Sequence, residues 1–123
     1  MWKITIVVLF FVVRGMAVDP PKSTPASVVR DMCTEVLLKG GGQLSECAAY
    51  VSGVLDANRL WFAEMVRTKQ TEVVKRSYCI PNDLNTRQAA EIFVEWLNSH
   101  PKFNNSSAAN VIAWALRDKY PCK

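Results

Sequence analysis

Four cysteines, Cys33, Cys47, Cys79 and Cys122, standing behind an apolar N-terminal run, constrain this 123-residue chain more than any other feature. The run reads MWKITIVVLFFVVRGMA over residues 1–17. Lys3 gives it a positive start, Ile4 to Val13 form an unbroken apolar stretch, and Gly15-Met16-Ala17 place small residues at a cleavage site. That layout is an export signal, and the stretch is shorter than the roughly 20 apolar residues that cross a bilayer. Residues 1–17 are therefore expected to be a signal peptide cut after Ala17. An uncleaved anchor, encouraged by Arg14, is the alternative, and export follows either way. An exported small domain with an even number of cysteines oxidises them, so the mature chain is expected to be cross-linked.

Between the cysteines the apolar residues recur at helical intervals. Residues 18–24 (VDPPKST) are rich in proline and polar residues and read as a linker. Residues 25–123 read as one helical domain. Thr24-Pro25 resembles an N-cap with proline at the first helical position. The helix it opens runs to Leu38 with Val28, Met32, Glu35 and Val36 at helical spacings, and Gly40-Gly41-Gly42 ends it. A longer second helix starts near Gln43 to Ser45 and carries Cys47, Tyr50, Val51, Val54, Trp61 and Met65 at helical spacing. Arg67 to Tyr78 is polar and weakly patterned, and is expected to fray into a connection. Cys79 to Asp83 is a turn. Asn85 and Gln88 resemble a capping box for a third helix, Thr86 to Asn98, with Ala89, Ile92, Phe93, Trp96 and Leu97 on one broad face. Ser99 to Asn105 breaks it. Ser106 or Ser107 caps a fourth helix whose apolar face is Ala108, Val111, Ile112, Ala115 and Leu116. No segment alternates long enough for a strand. The expected fold is all-α, a bundle of about four helices stapled by two intramolecular disulfides.

Helix geometry favours one of the three possible pairings. The first two helices, joined by a short glycine loop, form a hairpin that sets Cys33 against Cys47. Cys122, after the fourth helix, then returns to Cys79 at the start of the third. Crossed pairings stay open. Closing either loop adds roughly 3–4 kcal/mol in the chain-entropy view.

Catalytic equipment is sparse. One histidine, His100, and cysteines without finger-like spacing provide no zinc site. Paired cysteines leave no thiol for a Cys-His nucleophile, and His100 beside Pro101 reads as an exposed loop or helix-end residue. No G-x-S-x-G, phosphate loop or H-E-x-x-H occurs. Glu91 and Glu95 read as a solvated helix face, and Asp56 as a buried carboxylate paired with Arg59 or a tyrosine. No enzyme, cofactor or metal is expected. Loss of Lys3 and Arg14 would leave 13 basic against 11 acidic side chains with no basic patch, which excludes a nucleic-acid surface. Trp61, Phe62, Phe93, Trp96, Trp114 and Tyr120 are expected in the core. Phe103, in the polar loop PKFNN, either anchors a partner or folds back over the core.

Four features in order, CAAYVSGVLDA at 47–57, YCIP at 78–81, LNSHP at 97–101 and ALRDKYPC at 115–122, resemble one group. They look like the immunity proteins of type VI secretion amidase toxins, the Rap/Tai group of small periplasmic helical proteins, over roughly residues 33–122. The resemblance implies a periplasmic, dimeric protein without enzymatic activity that binds a peptidoglycan amidase, a loop between the last two helices entering the toxin's active-site groove. Carried onto this chain, the loop is Ser99 to Ser106, with Ser99, His100, Lys102, Phe103, Asn104 and Asn105 as contacts. Arg87, Glu91 and Glu95 on the third helix would serve the dimer or the toxin surface. The residues alone leave two other readings: an inhibitor of a lysozyme-like cell-wall hydrolase, and a small periplasmic stress or chaperone protein.

Overall fold

The structure is a computed structural model that describes residues 22–39, 46–75 and 79–122. The expected signal peptide, the Gly40–Gly42 loop, the start of the second helix at Gln43 to Ser45 and the Arg76–Tyr78 end of the connection lie outside the described residues. Five α-helices occur among those described: α1 (Ala26–Lys39), α2 (Glu46–Arg67), α3 (Thr71–Lys75), α4 (Thr86–Ser99) and α5 (Ala108–Lys119). A 3-10 turn, Pro101–Phe103, joins the last two, and no strand is present among the described residues. The all-α expectation holds.

Helix α4 forms the centre. It touches α1, α2 and α5, and Phe93 and Leu97 on its inner face are fully buried. Its start is set by local chemistry, because the Asn85 side chain accepts from the Gln88 backbone N–H at 2.8 Å while Gln88 accepts from the Asn85 N–H at 3.0 Å. All five apolar positions expected on α5 are buried. Its start differs in detail. Ser107 occupies the cap position without a side-chain bond, and the Ala108 N–H instead donates to Thr24 O at 2.8 Å.

Helix α1 begins one residue later than proline at the first position would require. Pro25 bridges to Ser107 in extended geometry, and its carbonyl accepts from Val28 and Val29. The buried line is accordingly Ala26, Val29 and Cys33, while Val28 turns outward at 48% exposure. Two disulfides, Cys33–Cys47 and Cys79–Cys122, close the domain with Cα–Cα separations of 4.9 and 5.0 Å. This is the pairing that the hairpin geometry favours. The first ties α1 to α2 inside the core, and the second ties the chain end to the turn before α4.

Helix α2 departs most from expectation. Its first half buries Cys47, Val51 and Leu55. At 22 residues it outruns the 14-residue α1 and α4 beside it, so its second half has fewer neighbours. Trp61 is therefore 42% exposed rather than core, and Leu60 is 74% exposed. Asp56 is not buried either. Its side chain is 77% exposed and meets Arg59 only at 3.9 Å, the Arg59 guanidinium reaching instead for Leu84 O at 3.3 Å. Nor does the chain simply fray after Arg67. Lys69 takes a left-handed φ of 58°, Lys69 N–H donates to Val66 O, and Gln70 N–H donates to Met65 O. This pair of bonds is a Schellman termination, and the short α3 follows it.

Candidate functional site

The segment between α4 and α5 is built by a proline. Pro101 drives the preceding residue out of helical geometry, so α4 ends at His100 with φ −131° and ψ 59°. The chain then tightens into the 3-10 turn, with Phe103 N–H donating to His100 O and Asn104 N–H to Pro101 O. The start of α1 fastens this turn from the side. Ala26 N–H donates to Ser106 O at 2.8 Å and Ser27 N–H to Asn104 O at 3.0 Å. Arg30 Nη1 donates to Asn104 Oδ1 at 3.1 Å. The Ala26 and Ser27 N–H groups are helix N-terminal donors that would otherwise lack partners, so their bonds cap α1 and hold the loop at once.

The choice left open for Phe103 is decided by packing. Its ring lies 5.5 Å from Trp96 and 5.3 Å from Trp114, against the core. His100 stacks on the other neighbour of this group, 4.0 Å from the Trp96 ring, with its Nδ1 2.7 Å from Trp96 O. It is a half-buried helix end, not an exposed loop residue. Trp96 Nε1 in turn donates to Asp118 Oδ2 at 2.7 Å, and Lys102 Nζ sits 5.0 Å from the Phe103 ring centre.

The sequence-derived contact residues thus divide into two sets. His100, Phe103 and Asn104 are half-buried and hold the loop. Ser99, Lys102 and Asn105 are exposed and form its outer surface. Arg87, Glu91 and Glu95 are also exposed, and their four-residue spacing continues to Ser99 along one edge of α4. Arg87 and Glu91 are 3.2 Å apart. A shallow depression of about 260 Å³ brings Glu95, Ser99 and His100 together with Trp96, Asp118 and Lys119. Asp118, Lys119 and the anchoring Arg30 are absent from the sequence-derived set. The ALRDKYPC stretch that contains Asp118 and Lys119 was the only signal for them, and it does not show which side chains reach across to α4.

This arrangement gathers exposed polar and charged side chains around a loop held by backbone hydrogen bonds. Among the described residues no group of three His, Cys, Asp or Glu side chains converges to hold a metal, and all four cysteines are bonded in pairs. No described helix is long and apolar enough to cross a membrane. The class is a small, disulfide-stapled helical domain that presents a fixed polar loop.

The profile of the Rap1a immunity proteins matches residues 21–122, and the chain belongs to that family. No curated protein and no solved structure matches the chain at a significant level. The protein is therefore an immunity protein directed against a secreted toxin, from a family that generally works by binding and not by catalysis. Membership and the two disulfides together fit an exported protein.

Proposed function

We propose that this protein is exported to the periplasm by cleavage of residues 1–17, acts there as a homodimer, and blocks the active-site groove of a type VI secreted peptidoglycan amidase. The observation that carries this reading is the family match across residues 21–122, taken with a loop whose backbone is pinned before any partner arrives. A groove is filled most tightly by a segment that loses little freedom on binding. The bonds from Ala26, Ser27 and Arg30 to residues 104 and 106 supply that rigidity. Ser99, Lys102 and Asn105 make the direct contacts in this scheme, and Arg87, Glu91 and Glu95 flank them. His100, Phe103 and Asn104 act through the loop's shape. Occlusion needs no reaction of the inhibitor's own.

The test is a titration of the protein into the peptidoglycan amidase of a neighbouring toxin locus, with release of peptide stems as the readout. Stoichiometric inhibition is expected. Inhibition of glycan cleavage with no effect on peptide cleavage would instead favour a lysozyme-type target. Lys102→Glu with Asn105→Asp should weaken binding at least about tenfold, or about 1.4 kcal/mol, with thermal melting unchanged because both side chains are exposed. Normal binding by that variant would move the toxin contact away from the loop.

A further inference from the structure

The second half of α2 and the turn that leads into α4 enclose a pocket of about 320 Å³. Helix α2 contributes Asn58, Arg59, Trp61 and Phe62, which lie about one helical turn apart on one side of the helix, and the turn contributes Cys79 and Ile80. None of these residues belongs to the α4–α5 loop. Two bonds fix the pocket's shape in advance. Arg59 Nη2 donates to Leu84 O at 3.3 Å, tying α2 to the turn, and the Cys79–Cys122 disulfide ties the turn to the end of α5's chain. The rings of Trp61 and Phe62 and the side chain of Ile80 make the walls largely apolar.

Asn58 is the exception among them. Its Nδ2 is buried from water and has no hydrogen-bond partner among the described residues. Buried polar groups are nearly always paired, and a donor stripped of water and left unmatched lowers stability. An acceptor on a ligand in the pocket would recover the missing bond. The terminal torsion of asparagine is broad, so Nδ2 can turn from the wall into the pocket with little strain.

The charges specify that acceptor. Arg59 brings a cation to the same wall, and Asp56 approaches its Nη1 only to 3.9 Å, so the charge is incompletely neutralised. No carboxylate lines the pocket among the described residues. A guanidinium and an amide donor without an anion beside them match a carboxylate, and the rings and Ile80 match an apolar body. The volume lies at the small end of ligand pockets, so the ligand is compact.

We propose that this pocket is a binding site for a compact apolar carboxylate. Asn58 Nδ2 and the Arg59 guanidinium take its oxygens, while Trp61, Phe62 and Ile80 hold its apolar part. A free acyl amino acid and the C-terminal residue of a peptide share this chemistry.

The test is a titration of N-acetyl-leucine into the isotope-labelled protein with both disulfides formed, followed by NMR. Saturable shifts of the Asn58 side-chain amide and the Trp61 indole are expected, with a millimolar or tighter dissociation constant. The Asn58 signal is identified by its loss in Asn58→Leu. N-acetyl-leucine amide, which lacks the charge, should bind at least about tenfold more weakly. Asn58→Leu should weaken binding of the acid at least about tenfold, and Arg59→Gln should erase the preference for acid over amide. Circular dichroism checks the fold of each variant, and the comparison of acid with amide on the wild type needs no variant. A short peptide ending in leucine separates the two sources. Tighter binding than N-acetyl-leucine assigns the pocket to a chain terminus, and equal binding assigns it to a free acid. No shift at Asn58 with any of the three ligands, or equal binding of acid and amide by the wild type, would each overturn the proposal. Shifts confined to residues 99–106 would overturn it as well, by placing the carboxylate at the loop.

Discussion

Lys69 shows how far a single backbone angle shapes this domain. A lysine held at φ 58° costs roughly 1 kcal/mol relative to glycine, whose missing Cβ removes the clash. Lys69→Gly should therefore raise the unfolding free energy by about 1 kcal/mol in urea denaturation. Asn85 works in the other direction. Its side chain and that of Gln88 satisfy each other's backbone donors, so Asn85→Ala should lower stability by about 1 kcal/mol. The larger residue-scale effect belongs to the core, where Phe93 is fully enclosed and Phe93→Ala should cost about 3–5 kcal/mol. Of these three residues, Asn85 and Phe93 were legible in the sequence. Lys69 was not, because neither glycine nor asparagine marks the termination there.

At the scale of elements, the two disulfides should behave differently. Cys33 and Cys47 are buried at 0% and 3% exposure, whereas Cys79 is exposed and Cys122 half-buried. A small thiol should reduce Cys79–Cys122 first, detected by alkylating released thiols and mapping them by mass. Loss of that bond opens a separation of 43 residues against 14 for the other. In the chain-entropy view those closures contribute about 4 and about 3 kcal/mol. Simultaneous labelling of both pairs would contradict this ordering. Surface charge pairs add a pH signature to α1 and α2. A hydrogen bond from Lys39 holds the Glu35 carboxyl below its usual range, and one from Arg67 does the same for Glu64. A carboxylate depressed on folding stabilises the helix above its unfolded pKa, and that contribution disappears as the pH falls through the folded value. Carboxyl carbon shifts followed by NMR should therefore titrate at lower pH for these two glutamates than for glutamates in the unfolded chain, and salt should narrow the difference.

For the whole molecule, the proposed function rests on the placement of the loop between α4 and α5. Its aromatic residue was ambiguous in sequence, since PKFNN surrounds Phe103 with polar groups. The fold resolves it by bringing Trp96 from α4 and Trp114 from α5 to the same place, 5.5 and 5.3 Å from its ring. Phe103→Ala should consequently lower the melting temperature as well as toxin binding, whereas Lys102→Glu should affect binding alone. Equal losses of stability in both would mean that Lys102 also supports the loop.

The sequence by itself determined the helical class, the cap of α4, the apolar face of α5 and the family, because each depends on residues close together in the chain or on a periodic pattern. It also favoured the observed cysteine pairing, since a short hairpin limits which partners can meet. What the tertiary structure alone decided was exposure and long-range partnership: Trp61 and Asp56 on the surface, Phe103 against the core, and Arg30 bonded to Asn104 across 74 positions. Periodicity shows which side of a helix is apolar. How far along that helix its neighbours reach depends on the relative lengths and crossing of all the helices, and that is settled only when they pack.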